Sequence, residues 1–443
     1  MILQQFVDAG LGCASYLIGD EKAGVAAVVD PAFAIEQYVA EAEREGLRLE
    51  RTLETHTHAD HLSGHGRLAL DHGCSVAIHS AAEAEFEHEA LEDGAEIGVG
   101  DVRLRVLHTP GHRPEHCAFL VLDEAGEEKA LLTGDSLFVG EAARPDLAVG
   151  AREGAEGLFD SLRRLTELDD AVEVLPGHVA GSLCGSGMSA QRSTTIGFEK
   201  RFNRALQFGS AAEFVDAYGS PAQLRPPNMD RNVALNRGPF VGAPPKLDEL
   251  ESNDAGGATI LDVRDVDTFA AGHAHGAINV PVEGSMFATK AAFLLEPEER
   301  IVLHAASRDQ AERAAAGLHS VALLELAGYV TRPPADERVD DVGLDDLQAL
   351  LDRGDVEVID VREKDERDGG YIPGTRHVPY RLLRVMGASV DGDRPVVTIC
   401  NTGARAAIAA SVLSAAGVDA RPVLHGGVPS WPGQKVEFRR CGS

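Results

Sequence analysis

Thr55-His56-Thr57-His58-Ala59-Asp60-His61 crowds three imidazoles and a carboxylate into the six residues from His56 to His61. Imidazole is the commonest protein metal ligand, and a neighbouring Asp supplies the oxygen that divalent transition metals accept beside nitrogen. Three more residues join by context. His112 lies in Thr109-Pro110-Gly111-His112, Asp135 in Thr133-Gly134-Asp135-Ser136, and His178 in Leu175-Pro176-Gly177-His178. Each follows a short apolar run and stands at a turn, as residues at strand ends do. A lone His is usually a capping or core group, but this set reads as a metal centre. Histidines two apart on an extended segment project the same way, so His56 and His58 are expected to share one site. Asp60 and His61 then come from the turn into the next helix. His65, His72, His79, His88 and His108 read as ordinary surface or core positions, with His116 left open.

Around the cluster, residues 1 to about 200 alternate β-type runs with amphipathic helices. Ala26–Val29, Val102–Leu107 and Ala130–Thr133 are expected strands; Ile35–Gly46, Leu158–Leu168 and Ala211–Tyr218 are expected helices. Sheets sandwiched between helices fit this order. Met1–Phe6 lacks the basic-then-apolar layout of a signal peptide and reads as a first strand. Ser220-Pro221, Arg225-Pro226-Pro227 and Gly242-Ala243-Pro244-Pro245 break the pattern, so a linker is expected near 220–245.

At 443 residues the chain exceeds one hydrophobic core. With 44% hydrophobic and 25% charged residues it is an ordinary globular composition. No apolar run is long enough to span a bilayer. Cysteines at 13, 74, 117, 184, 400 and 441 form no C-x-x-C pair, which suits reduced thiols in a cytoplasm better than a disulfide framework. A net charge of −30 opposes nucleic-acid binding but says little about a small substrate.

The second half carries a repeat. Ile260-Leu261-Asp262-Val263-Arg264 recurs 98 residues later as Val358-Ile359-Asp360-Val361-Arg362. Each copy continues into a glycine-containing loop, a proline-ended strand, a buried apolar run and an Ala-rich helix. Two tandem α/β domains, joined near 331–341, fit better than a solenoid. In the second copy, Cys400-Asn401-Thr402-Gly403-Ala404-Arg405 places a thiol between a buried strand and the helix 406–416. Successive backbone N–H groups of Asn401, Thr402, Gly403 and Ala404, with the positive end of the helix, favour a thiolate and bind anions there. Arg405 adds charge at the far side. The alternative is a buried structural thiol. The loop is one residue shorter than the C-x5-R loop of tyrosine phosphatases, which suits a sulfur atom better than a phosphate. In the first copy, Ala305 falls where Cys400 sits, and no thiol is nearby. That copy is expected to be catalytically silent, with His304 and Arg308 as a less favoured anion pocket.

The His56–His61 cluster with His112, Asp135 and His178 resembles the metallo-β-lactamase fold, over the whole of the first domain. The resemblance implies an αββα architecture and up to two metals. The first site would match His56, His58 and His112, and the second Asp60, His61 and His178, with Asp135 bridging. Hydrolases such as glyoxalase II use both metals to make a hydroxide nucleophile. The persulfide dioxygenases of this fold hold one Fe(II), and their ligands carry over onto His56, His112 and Asp135, a facial triad with three open positions. His58, Asp60, His61 and His178 would then be a second metal site or stand behind the iron. Two features favour iron. Phe138–Leu147, with Arg144-Pro145-Asp146-Leu147, resembles a segment after the bridging Asp of bacterial persulfide dioxygenases. His178–Gly185 resembles their glycine-rich loop. Arg144 is expected to hold a substrate carboxylate or a sulfur oxyanion, or else a surface salt bridge; Cys184 reads as a small loop residue.

The Cys400 loop, with Asp360-Val361-Arg362 and Gly426–Trp431, resembles the rhodanese sulfurtransferase domain over nearly all of 340–435. Together these resemblances imply an α/β chain of three domains: 1–235 dioxygenase-like, 246–332 a silent rhodanese, and 340–438 an active rhodanese with Cys400 and Arg405 catalytic. The implied activity is that of the persulfide dioxygenase–sulfurtransferase fusions of bacterial sulfide detoxification. One Fe(II) per chain would serve oxidation of a low-molecular-weight thiol persulfide by O2 to sulfite and thiol. Thiosulfate, persulfide or sulfite would exchange sulfur through Cys400. Nucleic acid and membrane are excluded as partners, a cytoplasmic place is expected, and a homo-oligomer is compatible with a fold that often pairs. Two alternatives stay open: a di-zinc, Zn(II)-dependent thioester hydrolase with a fused sulfurtransferase, and a sulfur-relay or sensing module with a structural metal.

Overall fold

The computed structural model describes residues 1–8, 10–179, 191–220, 225–251, 255–386, 390 and 394–437. It divides into two compact units, Met1–Pro244 with His319–Ala322, and Pro245–Leu318 with Leu323–Ser443.

In the first unit, one sheet runs in sequence order: β1 (Ile2–Val7), β2 (Ala14–Asp20), β3 (Val25–Val29), β4 (Arg48–Leu53), β5 (Ser75–His79) and β6 (Glu89–Leu91). It is antiparallel from β1 to β3 and parallel from β3 to β6. The other sheet uses β7 (Glu96–Val99), β8 (Val102–His108), β9 (Cys117–Leu122) and β10 (Glu128–Gly134). After the small hairpin β11 (Leu137–Phe138) and β12 (Glu141–Ala142), it adds β13 (Glu173–Pro176) and β14 (Thr194–Thr195), giving the order β14-β13-β10-β9-β8-β7.

The alternation along β9 shows how the layers form. Cys117, Phe119 and Val121 pack inward with Ala27, Val29 and Leu53 of the first sheet. Ala118 and Leu120 face outward onto Leu158, Leu162 and Phe214. On the other side, Leu17, Ala26 and Val28 pack beneath Tyr38, Ala42 and Leu68. Each such side chain, fully buried, contributes about 1.5–3 kcal/mol if it is Val, Leu or Phe. The result is helix, sheet, sheet, helix, the αββα architecture.

Three segments refine the expected elements. The helix Glu36–Glu45 fits, with Gly46 at φ 68° returning its N–H to Ala42 and Glu43 carbonyls. Tyr38 on this helix is buried, and its hydroxyl bonds Ser15 and the Ala32 amide. A second helix spans Ala151–Leu165, starting well before Leu158. Gly154 within it serves close approach: a Cβ there would lie 2.0 Å from the Pro145 carbonyl and 2.8 Å from that of Gly111. The expected linker at 220–245 contains a helix, Met229–Arg237. Pro226 and Pro227 precede its start, where proline is tolerated, and so do not break it.

The second unit holds two four-stranded parallel sheets of one design. β15 (Thr259–Asp262), β16 (Ile278–Asn279), β17 (Ile301–His304) and β18 (Leu326–Val330) order as β16-β15-β17-β18. β19 (Glu357–Asp360), β20 (Arg376–His377), β21 (Val396–Ile399) and β22 (Ala420–Pro422) repeat that order as β20-β19-β21-β22. Arg264 Nε meets Asp262 at 2.9 Å, and Arg362 Nε meets Asp360 at the same distance. Their guanidinium groups also reach the Gly272 and Gly370 carbonyls. Among the described residues no helix is long and apolar enough to cross a membrane.

Gly154→Ala is expected to cost about 1–3 kcal/mol through overpacking against the Pro145 carbonyl. Denaturant unfolding checks this, and an unchanged midpoint would show that the helix does not press on that turn.

Candidate metal centre and thiol site

β8, β10 and β13 run the same way. Their C-terminal ends deliver His112, Asp135 and His178 to one edge, where the loop after β4 brings His56 to His61. Asp135 Oδ2 lies 3.9 Å from His56 Nε2 and 3.5 Å from His112 Nε2. Candidate donor atoms around one ion with bonds of about 2.1 Å lie roughly 3–4 Å apart, so the trio suits a single metal.

The hydrogen bonds behind the rings fix which nitrogen faces in. Asp30 accepts the Thr55 amide at 2.7 Å and the Thr55 hydroxyl at 2.8 Å. With its proton spent on Asp30, the hydroxyl oxygen accepts from His56 Nδ1 at 2.9 Å. His112 Nδ1 donates to the Arg144 carbonyl at 2.8 Å. Both rings therefore present a bare Nε2. His56 Nε2 and Asp135 Oδ2 are buried with no hydrogen-bond partner. Stranded lone pairs of this kind are costly unless something electropositive meets them, and a divalent cation fits.

The charge states agree. Burial, then the neighbouring imidazoles His58 and His112, hold His56 well below its usual range. Burial likewise lowers His112. Burial would raise the Asp135 carboxyl, but the charge and hydrogen bond of His178 outweigh it and hold it below the usual carboxylate range. Neutral imidazoles around an anionic carboxylate are what a metal requires. His116, left open by the sequence, is a positioning residue. It is buried and pushed down to about 3, chiefly by burial, and its Nε2 accepts the Asp135 amide at 2.9 Å.

Two further clusters adjoin the trio. His178 bridges Asp135 (Nδ1, 2.7 Å) and Asp60 (Nε2, 2.8 Å), and His61 Nδ1 donates to Asp60 at 3.1 Å. Cys13 joins them, its Sγ 3.3 Å from Asp60, 3.3 Å from His178 and 3.5 Å from His61. Nothing in its spacing marked Cys13, which lies just before β2. His58 departs from expectation. Its ring centre is 4.2 Å from that of His56, but its Nε2 sits 3.2 Å from Asp30 and 3.1 Å from Glu54 rather than among the trio's donor atoms. The segment after β4 is a bent loop rather than a strand, so the two-residue period does not hold. Asp30 and Glu54, both buried, push His58 well above its ordinary value against the effect of burial.

The helix in the expected linker clamps this loop. Asn236 Nδ2 donates to the carbonyls of His58 (2.9 Å) and His61 (2.8 Å), and its Oδ1 accepts the Ser63 amide at 2.9 Å. Asn232 Nδ2 donates to the Ala59 carbonyl at 2.9 Å. Their i, i+4 spacing was a legible signal, obscured by the prolines before it. Arg144 has a protein partner: Nε and Nη2 grip Asp146 at 2.7 and 2.9 Å, and both residues are buried. What it offers the trio is its carbonyl, under His112. The glycine-rich stretch after Val179, with Cys184, lies outside the described residues.

In the second unit Cys400 follows β21 and is fully buried. The Gly403 amide donates to its Sγ at 3.1 Å. Gly403 has φ 97°, and a Cβ there would lie 1.9 Å from the Leu424 carbonyl, so only glycine fits. Thr402 and Ala404 are exposed on the same turn. The helix begins at Ala404, slightly ahead of the expected 406. Arg405 does not stand free over the loop. Glu366 grips it at 2.6 and 2.7 Å and also accepts from Asn401 Nδ2 at 2.7 Å.

Strand register settles the comparison of the repeats. Asp262 pairs with His304 and Asp360 with Ile399, so Ala305 and Cys400 are equivalent. In the first copy the Ala306 amide is taken by Gln310 Oε1 at 2.7 Å, and exposed Arg308 pairs with Glu312. His304 is buried with neither ring nitrogen partnered. The His304–Arg308 pocket is not assembled.

Residues 8–178 match the metallo-β-lactamase superfamily, and 246–332 and 343–434 match the rhodanese-like domain. The chain belongs to the metallo-β-lactamase superfamily and carries tandem rhodanese-like domains after that fold. It is 30% identical over 250 residues to the mitochondrial persulfide dioxygenase ETHE1 of Bos taurus, covering 55% of this chain and 91% of that one. A hydroxyacylglutathione hydrolase of Rhodopseudomonas palustris is 32% identical over 169 residues, covering 37% and 61%. The crystal structure of a metallo-β-lactamase from Staphylococcus aureus is 30% identical with a TM-score of 0.68, over 74% of this chain and 98% of that one.

Asn236→Ala removes three hydrogen bonds from the His58–Ser63 loop and is expected to weaken metal binding about 10–100-fold. A metal titration with the fold checked by circular dichroism measures this; wild-type affinity would mean the loop holds its own shape.

Proposed function

We propose that the chain is a sulfur-metabolism enzyme, a persulfide dioxygenase fused to a rhodanese sulfurtransferase. The observation that carries this reading is the joint presence of a buried His56–His112–Asp135 trio with stranded donor atoms and a Cys400 cradle. The likeness to a persulfide dioxygenase supports it. On this reading residues 1–235 oxidise, 340–438 transfer sulfur, and 246–332 lack the thiol for transfer. The overall oxidation balances as RSSH + O2 + H2O giving RSH, sulfite and two protons.

His56, His112 and Asp135 would hold one Fe(II), which supplies the redox chemistry toward O2 and leaves positions for the persulfide. The chain's own part is orientation and exclusion of water. Thr55 and the Arg144 carbonyl keep Nε2 of both rings aimed inward, and the His116 ring fixes the Asp135 backbone. At Cys400, the thiolate attacks the outer sulfur of thiosulfate, the S–S bond breaks, and sulfite leaves with the electron pair. The Gly403 amide is placed to stabilise the sulfur anion. Run in reverse, the enzyme persulfide and sulfite give thiosulfate.

A second reading has its own observation. The Asp60–His61–His178 cluster beside Asp135 could take a second metal, as in a di-zinc hydrolase. Metal analysis of protein purified without added metal separates them: about one Fe per chain supports the dioxygenase, about two Zn the hydrolase.

Cys400→Ser is expected to abolish sulfur transfer while persulfide-dependent O2 uptake persists. Loss of both would refute the division of labour. His112→Ala is expected to remove iron and O2 uptake together, and retained uptake would show that the trio is misassigned.

A further inference from the structure

The cradle around Cys400 has to meet an anion if it takes thiosulfate, yet its arginines are already neutralised. Arg405 is held by Glu366, Arg362 by Asp360, Arg381 by Glu363 and Arg384 by Glu299. Lys435 is turned onto the Val428 and Pro429 carbonyls. Among the described residues, Lys290 of the other repeat is a cation that no carboxylate pairs with.

Lys290 lies on the helix Phe287–Leu294, and its amine donates to the Ser285 carbonyl at 2.6 Å; no carboxylate among the described residues forms an ion pair with it. Residues i, i+3 and i+4 share a helix face, so Lys290, Phe293 and Leu294 point together. That face packs on the Cys400 repeat. The Arg381 guanidinium lies 5.7 Å from the Phe293 ring centre, and Arg384 donates to the Leu294 carbonyl. Arg381 in turn holds Glu363, which forms a capping box with Glu366, the partner of Arg405. The chain of contacts leads from the Lys290 face to the cradle. The Asn279 amide, donating to Ser411 Oγ at 2.9 Å, fastens the repeats onto the helix that begins at the cradle. Lys290 is lowered first by burial and then by Arg405, while Cys400 raises it, so its amine feels both groups.

We propose that Lys290, supplied by the repeat that lacks a thiol, binds the anionic end of the sulfur donor at Cys400. The donor class is a small sulfur oxyanion such as thiosulfate, and an uncharged donor gains nothing from it. This rests on the sulfurtransferase reading of Cys400.

The test uses the full chain with Lys290→Met and Lys290→Arg. For Lys290→Met the KM for thiosulfate is expected to rise about tenfold with kcat within about twofold, and Lys290→Arg to stay near wild type, the pattern of a lost binding contact. A second readout needs no turnover. The rate of Cys400 alkylation by anionic iodoacetate relative to neutral iodoacetamide, read by peptide mass spectrometry, should fall several-fold in Lys290→Met and hold in Lys290→Arg. Unchanged KM and an unchanged alkylation ratio would overturn the proposal and leave the sulfurtransferase reading standing. Wild-type protein without thiosulfate turnover, but with the charge-dependent alkylation, would overturn that reading and keep Lys290 as the cation at Cys400.

Discussion

The carboxylate of Asp30 anchors the metal edge. It ends β3 with φ 50°, a backbone region that non-glycine residues enter at a cost, and its amide is tied to the Leu53 carbonyl. In return it takes both donors of Thr55 and faces His58. One buried acid thus sets the rotation of His56, through a hydroxyl whose proton has nowhere else to go, and draws His58 out of the trio. The strain at Asp30 and the bare nitrogen of His56 are two ends of one arrangement.

The two candidate sites handle charge differently. At the metal edge, neutral imidazoles and an anionic carboxylate are buried with donor atoms unanswered, which leaves the site incomplete without a cation. At Cys400 the contact to sulfur is a neutral amide, and the arginines around it are paired off within the chain. A protein with a net charge of −30 can still receive anions where such groups are concentrated.

Much of this was legible because the chemistry is local in sequence. The His56–His61 run, the turn residues before His112 and His178, and the Cys400 loop each announce themselves, and the apolar runs of β3, β8 and β10 mark strands of both sheets. The repeat, too, was readable from Asp262 and Asp360. What escaped was long-range. Cys13 reaches His178 across the fold, and Asn236 clamps a loop far earlier in the chain. Arg144 is expected from sequence at a substrate anion or in a surface salt bridge, and Arg405 as charge beside the loop; sequence shows a cation but not its partner, and Asp146 and Glu366 answer them. The expectation that His58 shares the His56 site carries the strand period past the end of β4; a place behind the iron does not depend on that period. Gly154 allows a close approach to the Pro145 carbonyl that no local pattern announces.

Gln310 shows how the middle repeat differs at the position of the thiol. Ala305 stands where the other copy has Cys400, and Gln310 Oε1 accepts the Ala306 amide of the same turn. Counting on from that register, Arg308 stands where the other copy has Gly403, whose φ of 97° and close approach to the Leu424 carbonyl only glycine allows. A thiol placed at Ala305 alone would therefore meet a turn without the glycine that turns an amide toward the sulfur. At least two substitutions separate the middle repeat from a sulfur cradle.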